Sequence, residues 1–465
     1  MFLLENLITS NKYLVTNLYA NNSLSNIKIT GVTANSTKCK PGYLFVAKSG
    51  ATPKSRDGHD YIEQALDLGA SAIIIDSSYS TRRELSIPVI RAQNSSLALA
   101  YVCEAFWGFP SQKIKLIGLT GTNGKTSTSF MLHSIFTQAG YNSRIMGTLG
   151  MGEPNNLISL SHTTMEPEFI SENLANMCAE QVSHVILEVS SHGLVLDRAS
   201  ALNFAAVGLT NISQDHLDFH GSMQEYINSK QILFDKLAQE NTYKILPNNH
   251  SFNKSVEKLK NIIFYDPAYK PPGLKLLGDF QANNSSLALS IASSMGIKHD
   301  EIILGLQNCV PVPGRFELVA QKPCKIFVDY AHTPDALENI LRSARNLGSG
   351  RVILVFGCAG DRDQKKRPMM GAIAQKLADI IIITDDNPRS ENPEKIRQEI
   401  ISALSNLKFH EIADRKQAIQ KAILEANPND IIIIAGKGHE NYQIYNNNNT
   451  YFSDHETVKK ITEIL

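Results

Sequence analysis

The sequence carries no surplus of charge of either sign, because its 45 Lys and Arg residues are balanced by 45 Asp and Glu. A chain that tracks nucleic acid needs a basic face to neutralise phosphates, and an anionic membrane surface calls for a polybasic run; the sequence offers neither. No nucleic-acid partner is therefore expected. No stretch approaches the ~18 uninterrupted apolar residues of a spanning helix, so no membrane insertion is expected either. The opening residues MFLLENLITSNKYL lack the basic start and long apolar centre of an export signal. Cysteine is scarce and scattered: six residues, at 39, 103, 178, 309, 324 and 358, with no Cys-x-x-Cys pair and no metal-ligand spacing. Together these absences point to a cytoplasmic protein with reduced thiols.

What is present starts with length, since 465 residues leave room for about three domains at roughly 150 residues each. The most informative stretch is LIGLTGTNGKTSTSFM, residues 116–131, where an apolar run enters a glycine-punctuated turn ending in Gly-Lys-Thr and then helix-compatible residues. This is the order strand, phosphate loop, helix. Gly121, Thr122, Asn123 and Gly124, with Lys125, Thr126 and Ser127 opening the helix, form the candidate triphosphate cradle. Its two glycines let the backbone aim N–H groups at phosphate oxygens beside the positive end of the helix dipole. Lys125 is placed for the β and γ phosphates and Thr126 for Mg²⁺. Leu119 stands where the strict pattern has its first glycine, and Gly118 lies one place early, so the loop is a shortened variant.

Residues 1–112 alternate β-rich runs with polar turns and short helical stretches, which predicts a small α/β domain whose last helix covers 95–107. Asn35, Ser36, Thr37 and the Asp57-Gly58-His59 turn read as turn residues, with ligand contact as the alternative. Residues 113–313 hold the loop and two further buried-strand patterns, HVILEVSSHG and AAVGLTNISQDHLDFHG. These end in Glu188 and Ser190, and in Asn211, Asp215, His216 and Asp218. Ligands of a doubly wound sheet sit beyond the carboxyl ends of its strands, so Glu188 is the candidate magnesium carboxylate, with a Lys-paired carboxylate as its alternative and a structural histidine as the alternative for His216. Residues 314–465 form a third pattern: KIFVDYAH, RVILVFGCAG, DIIIITDDNP and DIIIIAGKGHE alternate with helical segments, predicting a Rossmann-like parallel sheet without a phosphate loop. The fold expected is α/β in three domains, with a central P-loop ATPase-like parallel sheet. The Asn446–Asn449 run reads as an exposed hairpin turn with no chemistry.

Taken in order, TGTNGKTS, EVSSHGL, TNISQDHLDFHG, PGRFE, DYAHTPDAL, GDRD, DNPR and GKGHE resemble the Mur ligase family along the whole chain. The likeness is to its diaminopimelate-adding members. It implies an N-terminal domain for a uridine nucleotide, a central ATPase domain and a C-terminal domain for an incoming amino acid. The implied substrates are ATP, UDP-N-acetylmuramoyl-L-Ala-D-Glu and meso-diaminopimelate, with Mg²⁺ as metal and a monomer as the working unit. Lys125 and Thr126 match triphosphate and magnesium residues, Glu188 and His216 metal-side residues, and Asn284 an adenine-side asparagine. Arg315 and Asp329 match residues that reach back to ATP from the C-terminal domain. Lys230 matches a lysine carried as a metal-binding carbamate, where the residue alone reads as a surface helix lysine. For the UDP-dipeptide the likeness points to Ser36, Thr163, Thr164, Ser190 and Arg198. For diaminopimelate it points to Arg362, Asp386, Asn387, Pro388, Arg389, Gly436 and Glu440. The chain departs from the family pattern at Thr37, Met165, Leu196 and Gln281. A lysine-adding ligase, a folylpolyglutamate synthetase and a non-catalytic nucleotide-binding protein are the rival readings; Arg389 speaks against the first, because lysine has no distal carboxylate to meet its guanidinium.

Overall fold

The apolar runs become strands of three separate sheets in the computed structural model, which describes residues 2–464 apart from 21–22, 51–55, 82–83, 253, 275, 406–408 and 447. The central sheet has eight strands. From one edge the order is Asn156–Ile158, Gly150–Glu153, Ser143–Gly147, His184–Glu188, Lys115–Thr120, Ala206–Leu209, Tyr243–Pro247 and Ile262–Tyr265. The last six pair in parallel, and the first two fold back antiparallel on the edge. Alternation along each inner strand feeds two cores at once. Leu116, Val185, Leu187, Val207 and Leu209 pack on one face, while Ile117, Leu119, Ile186, Ala206 and Ile245 pack on the other. A strand buried on both faces reads as a continuous apolar run, which is why these segments carry so little polar alternation.

The C-terminal sheet repeats this logic with six strands in the order Glu317–Ala320, Lys325–Asp329, Ile431–Ala435, Val352–Phe356, Ile380–Ile383 and Phe409–Glu411. All pair in parallel except the first, an antiparallel edge strand. Phe327, Leu354, Ile381 and Ile433 face one helical layer and Ile326, Ile353, Ile382 and Ile432 the other. The N-terminal sheet has five strands ordered Leu18–Ala20, Val89–Ala92, Ala72–Asp76, Tyr43–Val46 and Gly31–Thr33, again parallel but for the first. The helix Ser95–Phe106, capped by Asn94, leads from it toward the phosphate-loop strand.

The antiparallel edges were not legible as such, because a short edge strand has neither a continuous apolar run nor a clean alternation. The expected hairpin is real: Tyr442–Tyr445 pairs antiparallel with Asn448–Tyr451, although Asn447 at its turn lies outside the described residues. Its position differs from that of a free turn, because Arg389 bridges in parallel to Tyr445 and ties the hairpin to the Asp386–Arg389 loop. No helix among the described residues is long and apolar enough to cross a membrane.

Candidate active site

The strand Lys115–Thr120 delivers the loop 121–124, and the helix Lys125–Gln138 starts directly on Lys125. The loop is braced by its neighbour strand: Thr122 N–H donates to Asn211 O at 2.9 Å and Asn123 N–H to Asn211 Oδ1 at 3.1 Å. Gly124 has φ of 88°, and a Cβ added there would stand 2.2 Å from Asn284 Oδ1. Both conformation and space therefore demand glycine. Gly124→Ala is expected to lower stability by about 1–2 kcal/mol and to weaken nucleotide binding by about tenfold or more. Thermal unfolding and a nucleotide titration check both halves.

In front of the loop lies a cavity of about 400 Å³. Of the sequence-predicted residues, Thr122, Asn123, Gly124, Lys125, Thr126, Ser127, Thr163, Glu188, Ser190, His216, Asn284, Arg315 and Asp329 line it. They come from both the central and the C-terminal sheets, as ends of strands that point toward one another. The two parts touch here: Asn123 Nδ2 donates to Asp335 Oδ2 at 2.9 Å and Gln214 Nε2 to Asp363 Oδ2 at 3.1 Å. Arg315 spans the gap, with its guanidinium 4.3 Å from the Tyr330 ring centre and Nη2 3.4 Å from Thr126 Oγ1. Asp329 accepts the Phe316 and Ala331 backbone N–H groups at 2.5 and 2.6 Å, yet burial still pushes its carboxyl up to about 6 against the opposing pull of Arg315.

Glu188 closes the floor of the cavity. Thr126 Oγ1 donates to its Oε2 at 3.1 Å and Thr148 Oγ1 at 2.9 Å, while Thr148 N–H donates to Oε1 at 3.2 Å. Thr148 was missed from sequence; the only signal is a polar residue directly after a buried strand, the same signal that marks Glu188 and Ser190. His216 stands in the left-handed region at φ 54°, and burial drives its imidazole down to about 3 despite nearby Asp215. The ring is thus neutral, the form a metal requires. Around Asp215 burial would raise the carboxyl, but His332 at 3.6 Å, with the His216 and Lys366 side chains beside it, holds it well below the usual carboxylate range.

Lys230 is not brought into the cavity. It is buried behind the loop, where its Nζ donates to Gly121 O at 2.9 Å, the same carbonyl that receives Lys125 Nζ at 2.8 Å. Burial, reinforced by the Lys125 charge, lowers the Lys230 ammonium well below its ordinary range. Among the described residues no three His, Cys, Asp or Glu side chains converge on a metal position. Around Glu188 the donors are its own carboxylate, the Thr126 and Thr148 hydroxyls that bond to it, and the neutral imidazole of His216 on the same cavity wall. That set suits a magnesium ion whose remaining ligands are phosphate oxygens and water, so the residues fit the expected metal.

A second cavity, of about 120 Å³, opens beyond the C-terminal strand ends and shares Asp215, His216, Tyr330 and His332 with the first. It is lined by Arg362, Asp386, Asn387, Arg389, Gly436 and Glu440, but not by Pro388. Glu440 Oε2 accepts from Asn387 Nδ2 at 2.9 Å and Lys437 Nζ at 3.1 Å. Arg389 Nε is buried without a hydrogen-bond partner among the described residues. The hairpin fixes this loop from outside. Arg389 N–H donates to Ile444 O at 2.9 Å, Asn446 N–H to Arg389 O at 2.8 Å, and Gln443 Nε2 to Asp386 O at 3.0 Å.

The residues expected for the UDP-dipeptide are dispersed. Thr163 and Ser190 reach the first cavity. Thr164 is buried and spends its hydroxyl on Glu188 O at 2.9 Å and Ser190 Oγ at 3.1 Å, tying two loops together. Arg198 donates to Thr164 O at 2.9 Å and pairs with Glu166 at 2.7 Å, and Glu166 also holds Lys48 of the N-terminal sheet at 2.7 Å. Ser36 donates to Gln64 Oε1 at 2.7 Å on the neighbouring helix Ile62–Asp67, and Asn35 and Asp57 act as turn caps. Of the departures, Gln281 accepts from Asn284 Nδ2 at 3.0 Å and so orients the residue at the cavity wall.

Three family profiles match this chain in sequence: a Mur ligase family catalytic domain over residues 28–104, a Mur ligase middle domain over 119–270 and a Mur ligase glutamate ligase domain over 314–438. A UDP-N-acetylmuramoyl-L-alanyl-D-glutamate–2,6-diaminopimelate ligase of Aquifex aeolicus is 37% identical over 471 residues, covering 96% of each chain. The chain belongs to the Mur ligase family. The Bacillus cereus relative of the same name is 36% identical over 94% of both chains. Among solved structures, one named for the same ligase superposes with a TM-score of 0.65 at 28% identity over 96% of each chain. A Thermotoga maritima MurF ligase in complex with ADP gives 0.62 at 17% identity, covering 95% of this chain and 98% of that one. A Mycobacterium tuberculosis folylpolyglutamate synthase with ADP and AMPPCP gives 0.61 at 18% identity but covers only 73% of this Mur ligase chain. These last two show the shared fold.

Proposed function

We propose that this Mur ligase is an ATP-dependent enzyme joining meso-2,6-diaminopimelate to the D-Glu γ-carboxylate of UDP-N-acetylmuramoyl-L-Ala-D-Glu, a cytoplasmic step of peptidoglycan precursor synthesis. The observation that carries this reading is the pair of adjoining cavities, a phosphate loop facing one and the Arg389 guanidinium facing the other. Relatives bearing that name at 35–37% identity support it. Residues 1–112 serve the uridine nucleotide through Ser36, residues 113–313 the ATP, and residues 314–465 the amino acid.

A carboxylate does not accept an amine until one oxygen becomes a good leaving group, so ATP must first convert it to an acyl phosphate. Gly121 to Gly124 wrap the triphosphate, Lys125 and Arg315 meet the phosphoryl charge, Asn284 takes the adenine side and Asp329 the ribose. Thr126, Glu188 and His216 would hold Mg²⁺, joined by Lys230 once it is carbamylated, and the metal would supply charge neutralisation of the phosphates. The crowding at Gly121 O gives the carbamate its reason: two ammonium groups share one carbonyl there. Burial and the Lys125 charge disfavour the ammonium form of Lys230, and adding CO₂ to its amine turns repulsion from Lys125 into attraction. Thr163, Thr164, Ser190 and Arg198 orient the dipeptide. Arg389 and Arg362 take diaminopimelate carboxylates, Glu440 and Asp386 its distal ammonium, with Asn387, Pro388 and Gly436 shaping the wall.

The deciding experiment is ATP-dependent phosphate release with the UDP-dipeptide, comparing meso-diaminopimelate with L-lysine. Turnover with diaminopimelate alone is the expected result. Preference for lysine would overturn the reading of Arg389, and a flat trace with either amino acid would overturn the ligase.

A further inference from the structure

Lys366 is the first residue of the helix Lys366–Leu377 and is only 4% exposed. Three features of its setting conflict with a structural role. An ammonium at a helix N-terminus meets the positive end of the dipole, the unfavourable end for a cation. Its neighbour Arg367 is also buried but is paired with Glu391 at 2.9 Å and Glu399 at 2.7 Å, whereas the Lys366 ammonium has no carboxylate within hydrogen-bond distance among the described residues. Its one carboxylate neighbour, Asp215 Oδ1, stands at 4.0 Å, beyond hydrogen-bond reach. Such an ammonium is left to be satisfied from whichever side is open. The open side is the second cavity, whose wall Lys366 forms. Violations of local preference of this kind concentrate at functional sites.

The location narrows the role. Asp215 lines both cavities, so Lys366 beside it stands at their seam. The acyl carbon must meet the amine at that seam. We propose that Lys366 is a catalytic residue of the amide-forming half-reaction, its ammonium stabilising the oxyanion that develops on the acyl oxygen. This rests on the ligase reading given above. In the step, the amine lone pair forms the N–C bond and the carbonyl π pair moves onto oxygen, facing Lys366. Collapse restores C=O, breaks the C–O bond to phosphate, and phosphate leaves with that electron pair and takes up the amine proton. No oxidant or further reactant is needed. Fixed donors aimed at charge that appears only in the transition state accelerate the chemical step without tightening substrate binding.

The test separates the two half-reactions in Lys366→Met. Acyl-phosphate formation is followed without amino acid, as exchange of the β–γ bridge oxygen of ATP in the presence of the UDP-dipeptide; amide formation is followed with saturating diaminopimelate. Exchange is expected to stay within about threefold of the unmodified enzyme while kcat for amide formation falls about 10²- to 10³-fold, with KM for diaminopimelate little changed. Lys366→Arg, which keeps the cation, is expected to recover part of kcat. A raised KM at unchanged kcat would make Lys366 a substrate-carboxylate holder and overturn the proposal, as would equal loss of both half-reactions in a folded variant. Should Lys366→Met not fold, judged by circular dichroism, Lys366→Gln decides the same question with a polar end kept and the charge removed. Absence of exchange in the unmodified enzyme would instead count against the ligase reading itself.

Discussion

Lys125→Ala is expected to reduce kcat for ATP-dependent phosphate release by about 10³-fold or more, on the scale of losing a cation that meets transferring phosphoryl charge. The side chain lies at the start of the helix, and its Nζ is held by Gly121 O at 2.8 Å and Thr122 O at 2.9 Å. That pair of carbonyls fixes the ammonium in front of the loop before any nucleotide arrives, so little rearrangement is needed when phosphates enter. Burial lowers the ammonium from its ordinary range, while Glu188 and Asp215 pull it back up. Alanine removes the charge and frees both carbonyls; of the nearby cations, Lys230 binds Gly121 O from behind the loop and Arg315 keeps its own place against Tyr330. The check is steady-state phosphate release together with a nucleotide titration. Activity within about tenfold of the unmodified enzyme would remove Lys125 from the phosphoryl step.

The second large effect belongs to Arg389→Ala, which is expected to collapse the preference for meso-diaminopimelate over L-lysine. A site built around a polar partner rejects an analogue lacking it by up to ~10⁴-fold, because the group left behind is desolvated and unpaired. Arg389 Nε is such a group, buried with no hydrogen-bond partner among the described residues. The residue sits at φ 55°, a conformation uncommon outside glycine, held by its two backbone bonds to the hairpin at Ile444 and Asn446. Asp385 anchors the same loop through Arg397 at 2.5 Å and the Tyr445 hydroxyl at 3.0 Å. Its guanidinium is therefore presented by a rigid frame, and shortening the side chain removes the carboxylate contact without loosening that frame. The readout is kcat/KM for both amino acids. A ratio that stays put would move specificity elsewhere in the cavity.

How far the site was legible follows from what each part requires locally. The phosphate loop could be read because its glycines, lysine and threonine act through backbone geometry within a few residues, and Gly124 repeats that requirement in its φ and in its contact with Asn284. The inner strands could be read because burial on two faces forces continuous apolar runs, and Ile380–Ile383 and Ile431–Ala435 are such runs. Thr148 gave no comparable sign: its value lies in standing beside Glu188, forty positions away in sequence. The hairpin was read as a turn without chemistry, since nothing in Asn446–Asn449 reveals that its first strand would clamp Arg389. Lys366 was passed over for the same reason, as its isolation depends on Arg367 taking both nearby glutamates.

The sequence by itself determined the family, the α/β character of the chain and the chemistry of the loop, because these rest on short-range patterns: apolar periodicity, glycine at forced turns and motifs in a set order. Only the tertiary structure decided which side chains share a cavity. Strand order brings the ends of two sheets face to face, leaves Lys230 behind the loop, turns Thr164 inward as a brace and sets Asp215 where two cavities meet. Those outcomes depend on contacts between residues far apart in the chain, which no local pattern encodes.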